Sequence, residues 1–241
     1  MNSPASPQNE RRRHERYQLL SGLAHGPVAV MSVPGWAVNT PLLNWSYGGT
    51  QMAASSGVTN LSPGTEIAGT LHLSLASRLA QDLRFHVVAT TENTISCSFI
   101  HDNPDALLFM RPWMECLRRG AALTELAKGA VKPELWTAGW RVWRGDGPLT
   151  LSVRNMDSTE PDWRIVFQVG EEYAEVGSMI GKTFTRRSLD NDGFNSPRMQ
   201  SSDEREASLL NTAVMLLAGA SSGAVPAILR VKLVDQLRAG T

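Results

Sequence analysis

Cysteine is nearly absent from this chain: Cys97 and Cys116 are the only two in 241 residues. Two thiols make neither a disulfide framework nor a zinc ribbon, and they read as buried, reduced cysteines. An excess of charge is missing too, since Lys+Arg and Asp+Glu both number 23. Without a basic excess the chain is not a general polyanion binder, so no nucleic-acid partner is expected and any anion site must be local. Long apolar runs are also missing. The most apolar window, residues 213–229, is broken by Ser221, Ser222, Gly223 and then Pro226, and reads as two helices joined by a turn, not a membrane span. The first residues are polar and rich in Pro and Ser, unlike a secretory leader, so the expected location is the cytoplasm.

Catalytic signatures are absent as well. There is no Gly-x-Ser-x-Gly elbow, Walker loop, His-Glu-x-x-His or dinucleotide glycine fingerprint, and an enzyme is not expected. The five histidines, His14, His25, His72, His86 and His101, are scattered. Cys97 and His101 stand four apart, but two further ligands are lacking, so no metal is expected.

What is present is a large apolar share, 42% of the residues, enough for one large domain or two ordinary ones. Residues 1–9 read as a disordered polar tail. From Tyr17 onward come short β-type runs separated by turn residues. Residues 28–33 end at Pro34-Gly35, residues 50–54 follow a glycine pair, and Leu71, Leu73 and Leu75 alternate with polar neighbours. Residues 84–90 and 95–100 are two more such runs, turning at Glu92-Asn93. This spacing predicts a small antiparallel barrel. Beyond Asn103-Pro104, apolar residues at Leu107, Met110, Trp113, Met114 and Leu117 recur at helical spacing, predicting a closing helix to about Leu123. Pro112 belongs in its first turn or kinks it.

Two stretches carry the chemistry. One is Arg11-Arg12-Arg13-His14-Glu15-Arg16, four arginines within six positions, which in isolation reads as a solvated basic segment. The other is Asn44-Trp45-Ser46-Tyr47-Gly48-Gly49, an apolar run delivering short polar side chains into a tight turn, where glycine permits a positive backbone angle. Arg12 and Arg16 form Arg-x-x-x-Arg, and Asn44, Ser46 and Gly49 form Asn-x-Ser-x-x-Gly after 27 intervening residues. This ordered pair of motifs resembles the PilZ domain family, over about residues 10–122. The resemblance implies a six-stranded antiparallel barrel with a closing helix and a bacterial receptor for cyclic di-GMP. Arg12, Arg16, Asn44, Ser46 and Gly49 would then be ligand-binding residues, with Arg11 and Arg13 as further contributors. Arginine's planar fork suits guanine O6 and N7 or a phosphate, and ordering of the arginine segment over the barrel is the switch this implies. A PilZ-like scaffold acting through protein contacts alone is the alternative.

Residues 123–241 resemble no family. Trp136, Trp140 and Trp143 fall near one face if helical, and such aromatic clusters are more often core than ligand platform. Leu149, Leu151 and Val153 alternate, as do Ile165, Phe167 and Val169, giving two strands. A third is expected at residues 173–176. Asp190-Asn191-Asp192-Gly193 reads as a turn, and Ser201 with Glu204 as a capping box opening the first of two amphipathic helices. The second carries Leu229, Leu233 and Leu237 in one stripe, to be covered by its own sheet or another subunit. The expectation is an α+β domain ending in a helical hairpin, serving as an effector module with a protein target or as a homodimer contact. Downstream, the resemblance implies exopolysaccharide production, motility or attachment.

Overall fold

The computed structural model describes residues 15–54, 61–189 and 203–239, with side chains in the last stretch from Glu206. The expectations for residues 1–9, for Arg11, Arg12, Arg13 and His14, for the turn at 190–193 and for the Ser201/Glu204 capping box lie outside these.

The N-terminal half is a barrel. Its strands are β1 (Tyr17–Gln18), β2 (Ala29–Ser32), β3 (Thr40–Ser46), β4 (Gly49–Ala53), β5 (Glu66–Ser74), β6 (Arg78–Thr90) and β7 (Thr94–Phe99). Neighbours run β3-β2-β5-β6-β7-β4, and β4 pairs back onto β3, so six antiparallel strands close on themselves and leave no edge. The short β1 is an addition. It pairs with Asn44 and Trp45 of β3, beyond Thr40 and Pro41, where β2 has already left that strand. The alternation expected at Leu71, Leu73 and Leu75 holds, all three being buried, and the same period buries Leu83, Phe85 and Val87 of β6 and Ile95 and Cys97 of β7.

Helix α1 (Pro104–Ala121) closes this half, as expected. Asn103 caps it by accepting from the Asp105 N–H at 2.9 Å, and Pro104 occupies the first turn, where a missing donor costs nothing. Pro112 lies well inside the helix, and Ala106, Met110, Met114, Leu117 and Gly120 form the buried side.

A second antiparallel sheet follows in simple meander order: β8 (Thr124–Glu125), β9 (Arg141–Arg144), β10 (Thr150–Arg154), β11 (Asp162–Val169), β12 (Glu172–Met179) and β13 (Lys182–Ser188). The tryptophan cluster divides differently from its helical spacing. Only Trp136 lies in the short α2 (Pro133–Thr137); Gly139, at φ 79°, sits where the chain leaves that helix, and Trp143 is in β9. Trp143 and Trp163 are fully buried, so they serve as core.

Helices α3 (Asp203–Gly219) and α4 (Ala227–Ala239) form the expected hairpin. Their apolar stripes are covered by this same chain: Leu229, Leu233 and Leu237 are buried in one continuous cluster with barrel and second-sheet residues. Helices α1 and α3 meet almost backbone to backbone. A Cβ on Gly120 would stand 2.0 Å from the Leu216 carbonyl oxygen, and one on Gly219 2.3 Å from that of Leu117. Polar bonds run from the hairpin to both sheets. Asn211 holds the Ser77 N–H and Oγ, the Asp235 carboxylate accepts from the Ala24 N–H, and Arg238 donates to His25 O, Gly26 O and Ser74 Oγ. On the other side the Trp163 indole donates to Gln236 Oε1 at 2.7 Å and that of Trp143 to Ala224 O at 2.8 Å.

Candidate functional site

The site is set by a break in register. Leu42 of β3 faces Met52 of β4, but Asn44 already faces Gln51, so one extra residue bulges out of β3 between them. Without the bulge, the alternation that buries Thr40 and Leu42 would send Asn44 and Ser46 into the apolar interior. With it, Trp45 points inward opposite Thr50 and is fully buried, while Asn44 and Ser46 turn to the outer side of the barrel wall, where both are nonetheless buried.

Two strands then bring partners to that face. On one side β1 pairs Tyr17 with Trp45 and Gln18 with Asn44, and Arg16 immediately precedes this strand. Arg16 is exposed. The neighbouring Tyr17 phenol, pushed up to about 12 by burial and by Glu15, donates to Glu15 Oε2 at 3.0 Å. On the other side β4 sets Gly49 opposite Ser46 and Gln51 opposite Asn44. Gly49 has no positive φ. Its lack of a side chain matters because a Cβ would stand 2.1 Å from the Cys97 carbonyl oxygen on β7. The positive backbone angle expected for this turn is therefore not what calls for glycine at this position.

The polar groups are specifically committed. The Asn44 Nδ2 donates to Gln51 Oε1 at 2.8 Å, the Gln51 Nε2 donates to Thr94 Oγ1 at 3.2 Å, and Thr94 and Thr91 share a hydroxyl bond of 2.9 Å. Ser46 spends its hydroxyl hydrogen on the Gly49 carbonyl at 3.0 Å. The Asn44 Oδ1 is left over. It is buried and has no hydrogen-bond partner among the described residues. An acceptor kept from water without a donor costs about 1–3 kcal/mol, which an incoming N–H group would recover.

Of the residues expected from sequence, Asn44, Ser46 and Gly49 are brought together by the β3–β4 register, and Arg16 precedes the strand that pairs with Asn44. Arg11, Arg12 and Arg13 lie outside the described residues. Gln51 and Thr94 were missed; their side chains carry no motif and gain meaning only from cross-strand register. Tyr47, at the hairpin tip, is half-exposed with its hydroxyl 3.5 Å from the Arg111 carbonyl, so α1 borders the site. Cys97 lies behind it as core, its thiol pushed up to about 12 by burial. Among the described residues no cluster of three or more His, Cys, Asp or Glu offers a metal site, and no helix is long and apolar enough to cross a membrane.

No protein-family model matches the chain, and no curated protein does. Among solved structures it is similar to the Borreliella burgdorferi PlzA protein in complex with c-di-GMP, at 11% identity over 71% of this chain and 84% of that one, with a TM-score of 0.26. So loose a superposition carries no argument about a ligand. The six-stranded barrel fits the PilZ pattern.

Proposed function

We propose that this chain is a receptor for cyclic di-GMP, binding it on the outer barrel face formed by Arg16, Asn44, Ser46 and Gly49. One observation supports the reading: β1, which follows directly on Arg16, pairs with β3 at Asn44 and Trp45, and the Asn44 Oδ1 there has no hydrogen-bond partner among the described residues. Each group has a matching part on the ligand. The Arg16 guanidinium donates to guanine O6 and N7 or to a phosphate and stacks on a base, while Asn44 and Ser46 accept from base N–H groups. Arg12, with Arg11 and Arg13, belongs to the proposal through the motif alone. A compact dianion also suits a chain of zero net charge, because it needs arginine at one place and no basic surface.

In this reading residues 10–122 bind the nucleotide, and residues 123–241 pass the bound state to a protein target. The downstream role, by family resemblance, is control of exopolysaccharide production, motility or attachment. Titration of the full chain with cyclic di-GMP tests the binding. A good arginine–guanine pair discriminates by about 1–3 kcal/mol, so Arg16→Ala is expected to weaken affinity roughly tenfold or more while the melting temperature stays put. Ser46→Ala should weaken it as well. Absence of binding by the wild-type chain leaves only a scaffold working through protein contacts.

A further inference from the structure

Asn44 can present either of two faces to a ligand, a carbonyl or an amino group, and the two demand opposite partners. What decides between them is the residue across the strand pair. The Gln51 Oε1 takes the Asn44 amino group, and the Gln51 amide is itself turned by donating to Thr94 Oγ1, which is tied to Thr91. The Asn44 Oδ1 is thereby the group left without a partner among the described residues. Two positions along β3, on the same face, the Ser46 Oγ has spent its hydrogen on Gly49 O and offers only lone pairs. Two acceptors on buried residues therefore lie two positions apart on this side of β3.

We propose that Gln51 is a positioning residue, held by Thr94, which sets the Asn44 amide so that Asn44 Oδ1 and Ser46 Oγ together read a paired-donor edge such as guanine N1–H and N2–H. The inference rests on the receptor reading above and adds to it the residue that fixes which way the Asn44 amide faces. Adenine offers one amino donor on its pairing edge and a phosphate ester offers none, so neither satisfies both acceptors. The acceptor sides of the ligand, guanine O6 and N7 and the phosphates, fall to Arg16, which has only donors.

The test is calorimetric titration of cyclic di-GMP into the full chain and into four variants of it. Gln51→Met keeps the length and packing of the side chain but releases the Asn44 amide, and is expected to weaken binding roughly tenfold with an unchanged melting temperature. Gln51→Glu still accepts the Asn44 amino group and should lose less affinity than Gln51→Met. In Asn44→Asp both side-chain oxygens are acceptors, so adding Gln51→Met to it should cost nothing beyond the Asn44→Asp variant's own affinity. A Gln51→Met chain that binds like wild type overturns the proposal. So does an equal loss on the Asn44→Asp background, which would report packing and not orientation. Failure of the wild type to bind is a separate result that removes the receptor reading itself.

Discussion

At Gly49 the hydrogen that stands in for a side chain faces the Cys97 carbonyl oxygen, and a methyl group placed there would lie 2.1 Å from it. Gly49→Ala must therefore separate β4 from β7 at the point where the barrel closes. Overpacking of this kind typically costs about 1–3 kcal/mol. The expected outcome is a lowered melting temperature together with weakened ligand binding, whereas Ser46→Ala, which loses one hydrogen bond to the Gly49 carbonyl and meets no clash, should weaken binding with a smaller drop in melting temperature. Thermal unfolding of the two variants side by side checks the distinction. The requirement for glycine was legible in sequence, but its reason was not, because the oxygen that enforces it lies 48 residues further along the chain. The Asn44–Gln51 pairing was hidden for the same cause: a bulged register decides it, and the apolar pair Leu42-Leu43 gives no sign of the extra residue.

Between elements, the turn joining β12 to β13 is anchored from a distance by Asp162, at the start of β11. Its carboxylate accepts from the Ile180 N–H at 2.8 Å, from Arg154 at 2.7 Å and from Asn155 at 3.2 Å. These bonds, the one from Ile180 first, hold the Asp162 carboxyl below the ordinary aspartate range. A folded value below the unfolded one means that the stabilisation is complete above the ordinary value of about 4 and is lost as pH falls through the folded value. Asp162→Asn should cost about 1–3 kcal/mol at neutral pH. The gap from wild type should then close on acidification, a difference that denaturant titration across that range measures. Ile180 itself takes φ 53° and is exposed, an uncommon place for a β-branched residue. At this scale the alternating strands were legible wherever one face is buried. Strand β13, with the sequence Lys-Thr-Phe-Thr-Arg-Arg-Ser, was not, because an edge strand with no fully buried residue shows no apolar period. Strand β9 was missed because Trp140 and Trp143 lie three apart, a spacing that also fits a helix.

Across the whole molecule, the α3–α4 hairpin lies between two sheets that share no strand pairing. Its hold on the barrel centres on the loop of residues 22–26, which follows shortly after β1 and hence after Arg16. Arg238 is buried there and donates to His25 O at 2.7 Å and Gly26 O at 2.6 Å, with burial drawing its pKa down. Arg238→Ala removes the donor from the His25 and Gly26 carbonyls. Since hydrogen bonds to charged groups are worth about 1.5–3 kcal/mol each, the variant should lose a few kcal/mol and show faster amide exchange in residues 22–26 than elsewhere in the barrel. Unchanged exchange in that loop would mean that other contacts hold it. The sequence suggested the hairpin and its need for cover, and left open whether its own sheet or another subunit supplies it. That depends on Gly120 and Gly219 admitting α1 and α3 to backbone contact, and single glycines in helices give little sign of such a crossing. The central claim is that the outer face of β1, β3 and β4 binds cyclic di-GMP, and calorimetric titration of the full chain, in parallel with Arg16→Ala, tests it most directly. The predicted result is saturable binding that falls roughly tenfold in Arg16→Ala with the fold intact; the contradicting result is no heat and no thermal shift with wild type at tens of micromolar nucleotide, or binding that Arg16→Ala leaves untouched.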